Sequence, residues 1–182
     1  MIEKLRRFVS HNRIVTSAAF GVLFLILAHP TPNSLLLGLP VVVLGEAVRT
    51  WASGYIRKDN RLATDGLYSL TRNPLYLGNF LLGFGFSIMA NRWPVILAFL
   101  AVFLLIYDAT IEEEERKLLK RFGDAFVDYC REVPRFFPRF TGWRAAPFEW
   151  ALVRQHREFK TWGAVAGIVA VILMKMWWED LG

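Results

Sequence analysis

The chain has 182 residues, 54% of them hydrophobic and 21% charged, with a net charge of +6. Its apolar residues come in long runs, not in alternation, which points away from a soluble core and makes the basic excess fit lipid headgroups better than nucleic acid. A single cysteine, Cys130, and three scattered histidines, His11, His29 and His156, leave no internal disulfide and no metal site of recognisable spacing.

Residues 1–13 carry Lys4, Arg6, Arg7 and Arg13 ahead of an apolar run over 14–28. The pattern has the charged and apolar regions of a secretory signal, but no A-x-A-like cleavage site follows, so a retained first span is expected. Pro30 and Pro32 then mark a tight outer turn, and the second span covers 34–52, with Pro40 as a kink. Glu46 and Arg49 lie three apart on this span and can pair. Charge at membrane depth is costly, so both are functional candidates, against the plainer reading of an ion pair near the inner boundary.

A basic loop over 53–75 ends in the stretch GLYSLTRNPLYLG, Gly66 to Gly78. Pro74 lacks an N–H and disfavours the helical conformation at Asn73, so the chain should turn there and start a helix at or just after Pro74. The free N–H groups of that start, together with Arg72, suit a carboxylate or other anion at the bilayer boundary. The third span, 76–90, holds Gly78, Gly83 and Gly85, which permit close approach of another backbone or a flat ligand. After a turn at Asn91–Pro94, the fourth span covers 95–111. Its helix is expected to continue through Glu112–Glu115 to Phe122, with Gly123 ending it and Asp124 capping a short successor. Glu114 and Glu115 sit one turn before Leu118 and Leu119 and can face a pocket, whereas Glu113 precedes Lys117 by four in the order that favours an exposed ion pair.

Residues 112–160 form a cytosolic, interfacial segment in which Phe126, Tyr129, Phe136, Phe137, Phe140, Trp143, Phe148 and Trp150 alternate with arginines. Pro134 and Pro138 break it, and Val133–Pro138 reads VPRFFP. A last span covers 161–178, ending in Trp177 and Trp178. The fold class is therefore a single all-α integral membrane domain, 1–182, with about five transmembrane helices plus an amphipathic cytosolic segment. Lysine and arginine number 4 in residues 1–13, 4 in 53–75 and 11 in 112–160, against Arg92 alone in the outer turns. The positive-inside rule puts the N-terminus and both polar elements in the cytosol and the C-terminus on the opposite side.

The ordered set of GLYSLTRNPLYLG, a hydrophobic hairpin and EERKLLKRFGDAFVDYCREVPRFFP, over about residues 62–138, resembles the catalytic region of the isoprenylcysteine carboxyl methyltransferase and phospholipid methyltransferase superfamily. The resemblance implies S-adenosylmethionine bound on the cytosolic side. Arg72, Asn73, Pro74, Tyr76 and Gly78 would cradle it, Tyr68 would wall the site, and Glu114 and Glu115 would accept from its amino group or ribose hydroxyls. Asn73 stands where the family commonly has histidine, and an amide is no general base. Methyl transfer from a sulfonium needs orientation and exclusion of water more than a catalytic triad. For a carboxylate acceptor, that of an isoprenylated cysteine or a related isoprenoid or lipid, Arg135 is the candidate clamp and Arg49 the second. For a lipid amine, Glu46, Asp108 or a cytosolic acid would take the proton. The span 161–178 lies beyond the resemblance and is expected to anchor or dimerise the protein, with the wall of a lipid-entry tunnel as the other role.

Two other classes compete. A sterol-reductase-type enzyme would bind a nicotinamide cofactor, although the chain is short for one. A non-enzymatic scaffold or transport subunit would use Glu46, Arg49 and Asp108 as a polar path. A soluble Rossmann methyltransferase is disfavoured, since no strand followed by a Gly-rich loop is visible.

Overall fold

A computed structural model describes Gly21 and residues 24–56 and 61–180. Most of the expected first span, together with Arg57 and Lys58 of the basic loop, lies outside these residues. Residues 24–27 are helical and lead into α1, Pro32–Ser53. A 3-10 turn at Gly66–Ser69 precedes α2, Pro74–Met89, then α3, Trp93–Phe122, and α4, Asp124–Glu132. The short α5, Trp150–Gln155, and the long α6, Glu158–Asp180, complete the chain. Every regular element among the described residues is helical, and α1, α3 and α6 are each long and apolar enough to cross a membrane, with α2 a shorter apolar helix.

The helix starts follow from local chemistry. Thr31 accepts from the Ser34 amide while Ser34 accepts from the Thr31 amide, a capping box ahead of Pro32. Pro40 sits inside α1 without ending it. At 30 residues α3 is about 45 Å long, well beyond the ~30 Å hydrocarbon core, and it continues through the four glutamates to Phe122 as expected. Gly123, at φ 52°, ends α3 and itself stands before α4, so Asp124 is the first helical residue and not the expected cap. The last helix begins at Glu158, earlier than the 161 expected, which brings a carboxylate into its first turn.

Small residues let α1 and α2 lie antiparallel and nearly backbone to backbone. A Cβ on Gly45 would come 2.7 Å from the Leu82 nitrogen, and one on Gly85 would come 2.8 Å from the Val42 nitrogen. Their outer ends are tied where Ser34 donates to the Met89 carbonyl at 3.1 Å and the His29 amide to the Ala90 carbonyl at 2.9 Å. Phe24, Ala28, Leu35, Val42, Leu82, Met89, Val95 and Ile172 bury one another around this pair. On the other flank α2 meets α3 through rings: Phe80 against Phe103, and Tyr76 against Tyr107.

The polar face is organised differently. The residues after Tyr129 run beside the 66–73 stretch and bond to it along its length. Tyr129 donates to the Tyr68 carbonyl at 2.7 Å, the Arg72 amide to the Pro134 carbonyl at 2.9 Å, and the Thr71 hydroxyl to the Phe136 carbonyl at 2.9 Å. The Asn73 side-chain amide donates to the Arg135 carbonyl at 2.9 Å, and the Arg139 amide to the Leu70 carbonyl at 3.0 Å. Further on, Gly66 donates to the Arg144 carbonyl at 2.8 Å and Arg144 to the Ser69 hydroxyl at 3.1 Å. Gly66 needs to be glycine twice over, for its φ of 59° and for the Tyr55 ring 2.5 Å from where a Cβ would sit. Phe136 follows its carbonyl inward and packs on Phe80 and Phe103.

Gly45→Val should lower thermal stability in detergent by at least the ~1–3 kcal/mol of an overpacked core, because the nearest neighbours of its Cβ are largely backbone. Gly167→Val, with nothing within 4 Å of its Cβ, should leave the midpoint in place. Tyr129→Phe should cost about 1–2 kcal/mol by stranding the buried Tyr68 carbonyl, read from the same melts.

Candidate functional site

The turn, the projecting end of α3 and α4 enclose a polar cavity of about 380 Å³, within the usual size range of ligand sites. Its walls include Tyr68, Arg72, Asn73 and Tyr76 from the turn and α2, and Glu114, Glu115, Leu118 and Phe122 from α3. Six of the eight residues expected to hold a ligand therefore come together here. Pro74 and Gly78 do not line the cavity. Pro74 is buried as the first residue of α2, and Gly78 faces α1, where a Cβ would stand 2.5 Å from Arg49 Cγ.

The two acids differ in what they touch. Glu115 is largely buried between two guanidiniums: Arg72 Nη1 lies 3.2 Å from Oε1 and Arg135 Nε lies 3.3 Å from Oε2. Arg72 also donates to Cys130 Sγ at 2.6 Å, which gives the lone cysteine a structural role. Glu114 lines the same cavity, and no ion pair engages it among the described residues. Glu113 and Lys117 form the expected exposed pair at 2.7 Å. Glu115 thus braces the site, and Glu114 is the acid left open to a ligand.

Arg135, the first candidate clamp, does not line the cavity. Its guanidinium is held by Asp108 Oδ1 at 2.9 Å as well as by Glu115, and this also occupies Asp108. Arg49 does line it. The expected Glu46–Arg49 pair does not form. Arg49 Nη2 instead meets both carboxylate oxygens of Glu158, at 3.2 and 2.9 Å, and Nη1 donates to Asn79 Oδ1. Glu46 points into the seam between α1 and α6, where neither carboxyl oxygen has a hydrogen-bond partner. A separation of three along the helix allowed the pair, and the buried Glu158 displaced it.

Burial pushes the Tyr68 phenol well above its usual range, with the neighbouring Tyr129 adding to the effect, and burial raises Tyr129 likewise. Both remain protonated donors at working pH, so Tyr129 keeps its bond to the Tyr68 carbonyl. Among the described residues no group of three His, Cys, Asp or Glu side chains is placed to hold a metal ion.

A second cavity, about 390 Å³ and mostly apolar, lies deeper, between α2, α3 and the residues ahead of α1. Phe24, Gly83, Phe86, Phe99, Phe103 and Ile106 contribute to its lining. Asn79 lines both cavities. Sequence reasoning passed over Asn79, although a lone amide inside the apolar run LGNFLLGFGF was a usable signal. Arg61 and Arg121, which also line the polar cavity, carried none beyond their charge.

A family model described as phospholipid methyltransferase matches residues 40–125. The cobalt-zinc-cadmium resistance protein CzcN of Cupriavidus metallidurans is 40% identical over 116 residues, 63% of this chain and 53% of its own length. Protein-S-isoprenylcysteine O-methyltransferase of Schizosaccharomyces pombe is 33% identical over 81 residues, 44% of this chain and 34% of its own. A solved structure of the eukaryotic intramembrane Ras methyltransferase, isoprenylcysteine carboxyl methyltransferase, superposes with a TM-score of 0.56 at 25% identity, covering 74% of this chain and 55% of that one. The chain spans about half the length of the first of these relatives. In sequence through the turn, the hairpin and the double-acid helix, and in the fold of its membrane helices, the chain is similar to the isoprenylcysteine carboxyl methyltransferases and phospholipid methyltransferases.

Proposed function

We propose that the chain is an S-adenosylmethionine-dependent methyltransferase of the membrane, acting on a lipid-tailed acceptor whose reacting group is a carboxylate, such as that of an isoprenylated cysteine. The observation that carries this reading is the junction at Asn79. A polar cavity at the membrane boundary and an apolar cavity within the helices share that residue, so a polar donor and an apolar acceptor can each lie in matching surroundings and still meet.

The residues of the polar cavity fit the donor. Tyr68, Leu118, Phe122 and Phe126 offer flat and apolar surface for a purine, Glu114 offers an acceptor for hydroxyl or ammonium groups, and Arg72 offers a cation for a carboxylate. Arg72 Nε is buried without a hydrogen-bond partner, which leaves donor capacity for a ligand. S-adenosylmethionine supplies a methyl group already activated on a sulfonium. The task left to the chain is to bind, align and keep water out, and the buried turn with its aromatic neighbours is suited to that. Asn73 fits this division of labour. Its amide braces the Arg135 carbonyl and takes no proton.

The charge at the junction favours an anionic acceptor. Arg49 lines the polar cavity and is bonded to Asn79, whereas Glu46 lines neither cavity and Asp108 is paired with Arg135. A lipid amine would need an acid close to its nitrogen, and the acids that do line the polar cavity are Glu114, assigned above to the donor, and Glu115, held by two arginines. The distribution of lysine and arginine supports a cytosolic polar cavity, with the acceptor's tail entering from the bilayer.

Titration of the nanodisc-held chain with S-adenosylmethionine should saturate, and NADPH should not bind. Glu114→Gln should weaken the former roughly 10-fold or more, as expected for loss of a charge-assisted hydrogen bond. Failure of a folded protein to bind S-adenosylmethionine would overturn the assignment. Glu115→Gln should instead lower the melting midpoint, costing about 1–3 kcal/mol, because the largely buried Arg72 and the partly exposed Arg135 lose their shared anion. Gly83→Leu, whose side chain must displace the Phe99 ring that lines the apolar cavity, should abolish turnover of a farnesylated cysteine and leave cofactor binding within about twofold. Unchanged turnover would remove the tail from that cavity.

A further inference from the structure

The family model stops at residue 125, and the helix that ends the chain lies beyond it. An anchoring helix needs only an apolar surface. The helix α6 has something more specific at its cytosolic end. Glu158, in its first turn, is only 6% exposed, and its carboxylate takes one edge of the Arg49 guanidinium with both oxygens. One turn further along, Trp162 donates from its indole to the Thr50 hydroxyl at 2.9 Å. Ahead of α6, the Glu149 amide donates to the Gly54 carbonyl at 3.2 Å, and the His156 ring meets the Ile56 carbonyl at 2.9 Å. The segment is therefore docked on the end of α1 by several neutral contacts and one charged one. The charged contact reaches Arg49 and the His156 contact reaches Ile56, and both residues line the polar cavity.

Resting on the function proposed above, we infer that Glu158 is a positioning residue for the acceptor site, and that α6 belongs to the catalytic unit. A free arginine side chain samples many rotamers. Arg49 is confined instead from two sides, Glu158 on Nη2 and Asn79 on Nη1. The consequence is a cation fixed in the polar cavity against Asn79, the residue that also lines the apolar cavity. Its Nε is buried without a hydrogen-bond partner, so the guanidinium retains donor capacity after both contacts are made. A planar, permanently charged fork held in this way suits the carboxylate of an acceptor whose tail lies in the apolar cavity. The negative charge of Glu158 is also what makes it tolerable to hold that cation at the edge of the membrane without a substrate.

The test uses the full chain in nanodiscs, with S-farnesyl-N-acetylcysteine as the acceptor probe, its methyl ester as the uncharged control, and S-adenosylmethionine titrated separately. The probe should bind the wild type better than its ester does. Glu158→Gln and Arg49→Gln should each raise the probe's dissociation constant and KM about 10- to 100-fold, with kcat and cofactor affinity within about threefold. The double variant should be no worse than the poorer single one, and Glu158→Asp should restore most of the loss. A merely structural pair would lower the melting midpoint without this split between KM and kcat. Probe affinity unchanged in a folded Glu158→Gln, equal binding of acid and ester by the wild type, or losses that simply multiply in the double variant would each overturn the inference. Absence of S-adenosylmethionine binding by the wild type would count against the proposed function itself, and the acid-versus-ester comparison would still decide the role of Glu158.

Discussion

The hydrogen-bonded seam between the 66–73 turn and the 129–144 segment is the constraint on which the polar half of the structure depends. A turn lodged beneath other chain at the boundary of a membrane has little water to satisfy it, and its backbone groups must find partners within the protein. The seam supplies them from a stretch that is itself kept non-helical by Pro134 and Pro138, so that its carbonyls are free to accept. Asn73 shows how tightly the two are fitted. It precedes a helix yet makes no side-chain cap, its NH2 group donating instead to the Arg135 carbonyl. From this seam follow the starting point of α2, the placement of Arg135 beside α3, and the enclosure of Glu115 between two arginines.

The membrane half rests on a different kind of fit. Glycines on α1 and α2 remove the side chains that would separate the helices, and the close pair they form brings Arg49 of α1 next to Asn79 of α2. The α2–α3 contact is made by rings that fill space unevenly, and an apolar cavity remains among them. Close packing on one flank of α2 and open aromatic packing on the other thus leave the Arg49 cation bonded to a residue that lines the apolar cavity. The two halves meet at Asn79, which belongs to both cavities.

Much of this was legible in the sequence. The apolar runs, the broken turn at Pro74 and the long helix ending at Gly123 all express local preferences: a missing N–H, a 3.6-residue period, a residue tolerant of positive φ. The grouping of Tyr68, Arg72, Asn73, Tyr76, Glu114 and Glu115 was legible through the family resemblance, which carries tertiary information that no single helix contains. Glu113 could be told from Glu114 and Glu115 by its spacing to Lys117 alone.

What the sequence by itself determined is therefore the element plan, the membrane setting and the residue types gathered at one face, because these depend on interactions between residues close along the chain. The tertiary structure alone decided which charges pair. Glu46 is three residues from Arg49 and Glu158 is 109 away, yet Glu158 is the partner, since burial against α1 gives its carboxylate a desolvated, two-oxygen contact that the nearer acid does not make. The same holds for Arg135, whose position in VPRFFP suggested an open clamp until α3 brought Asp108 and Glu115 against it. Electrostatic partners in a membrane-boundary site are chosen by proximity and loss of water after folding, and neither quantity is written in the spacing of residues along the chain.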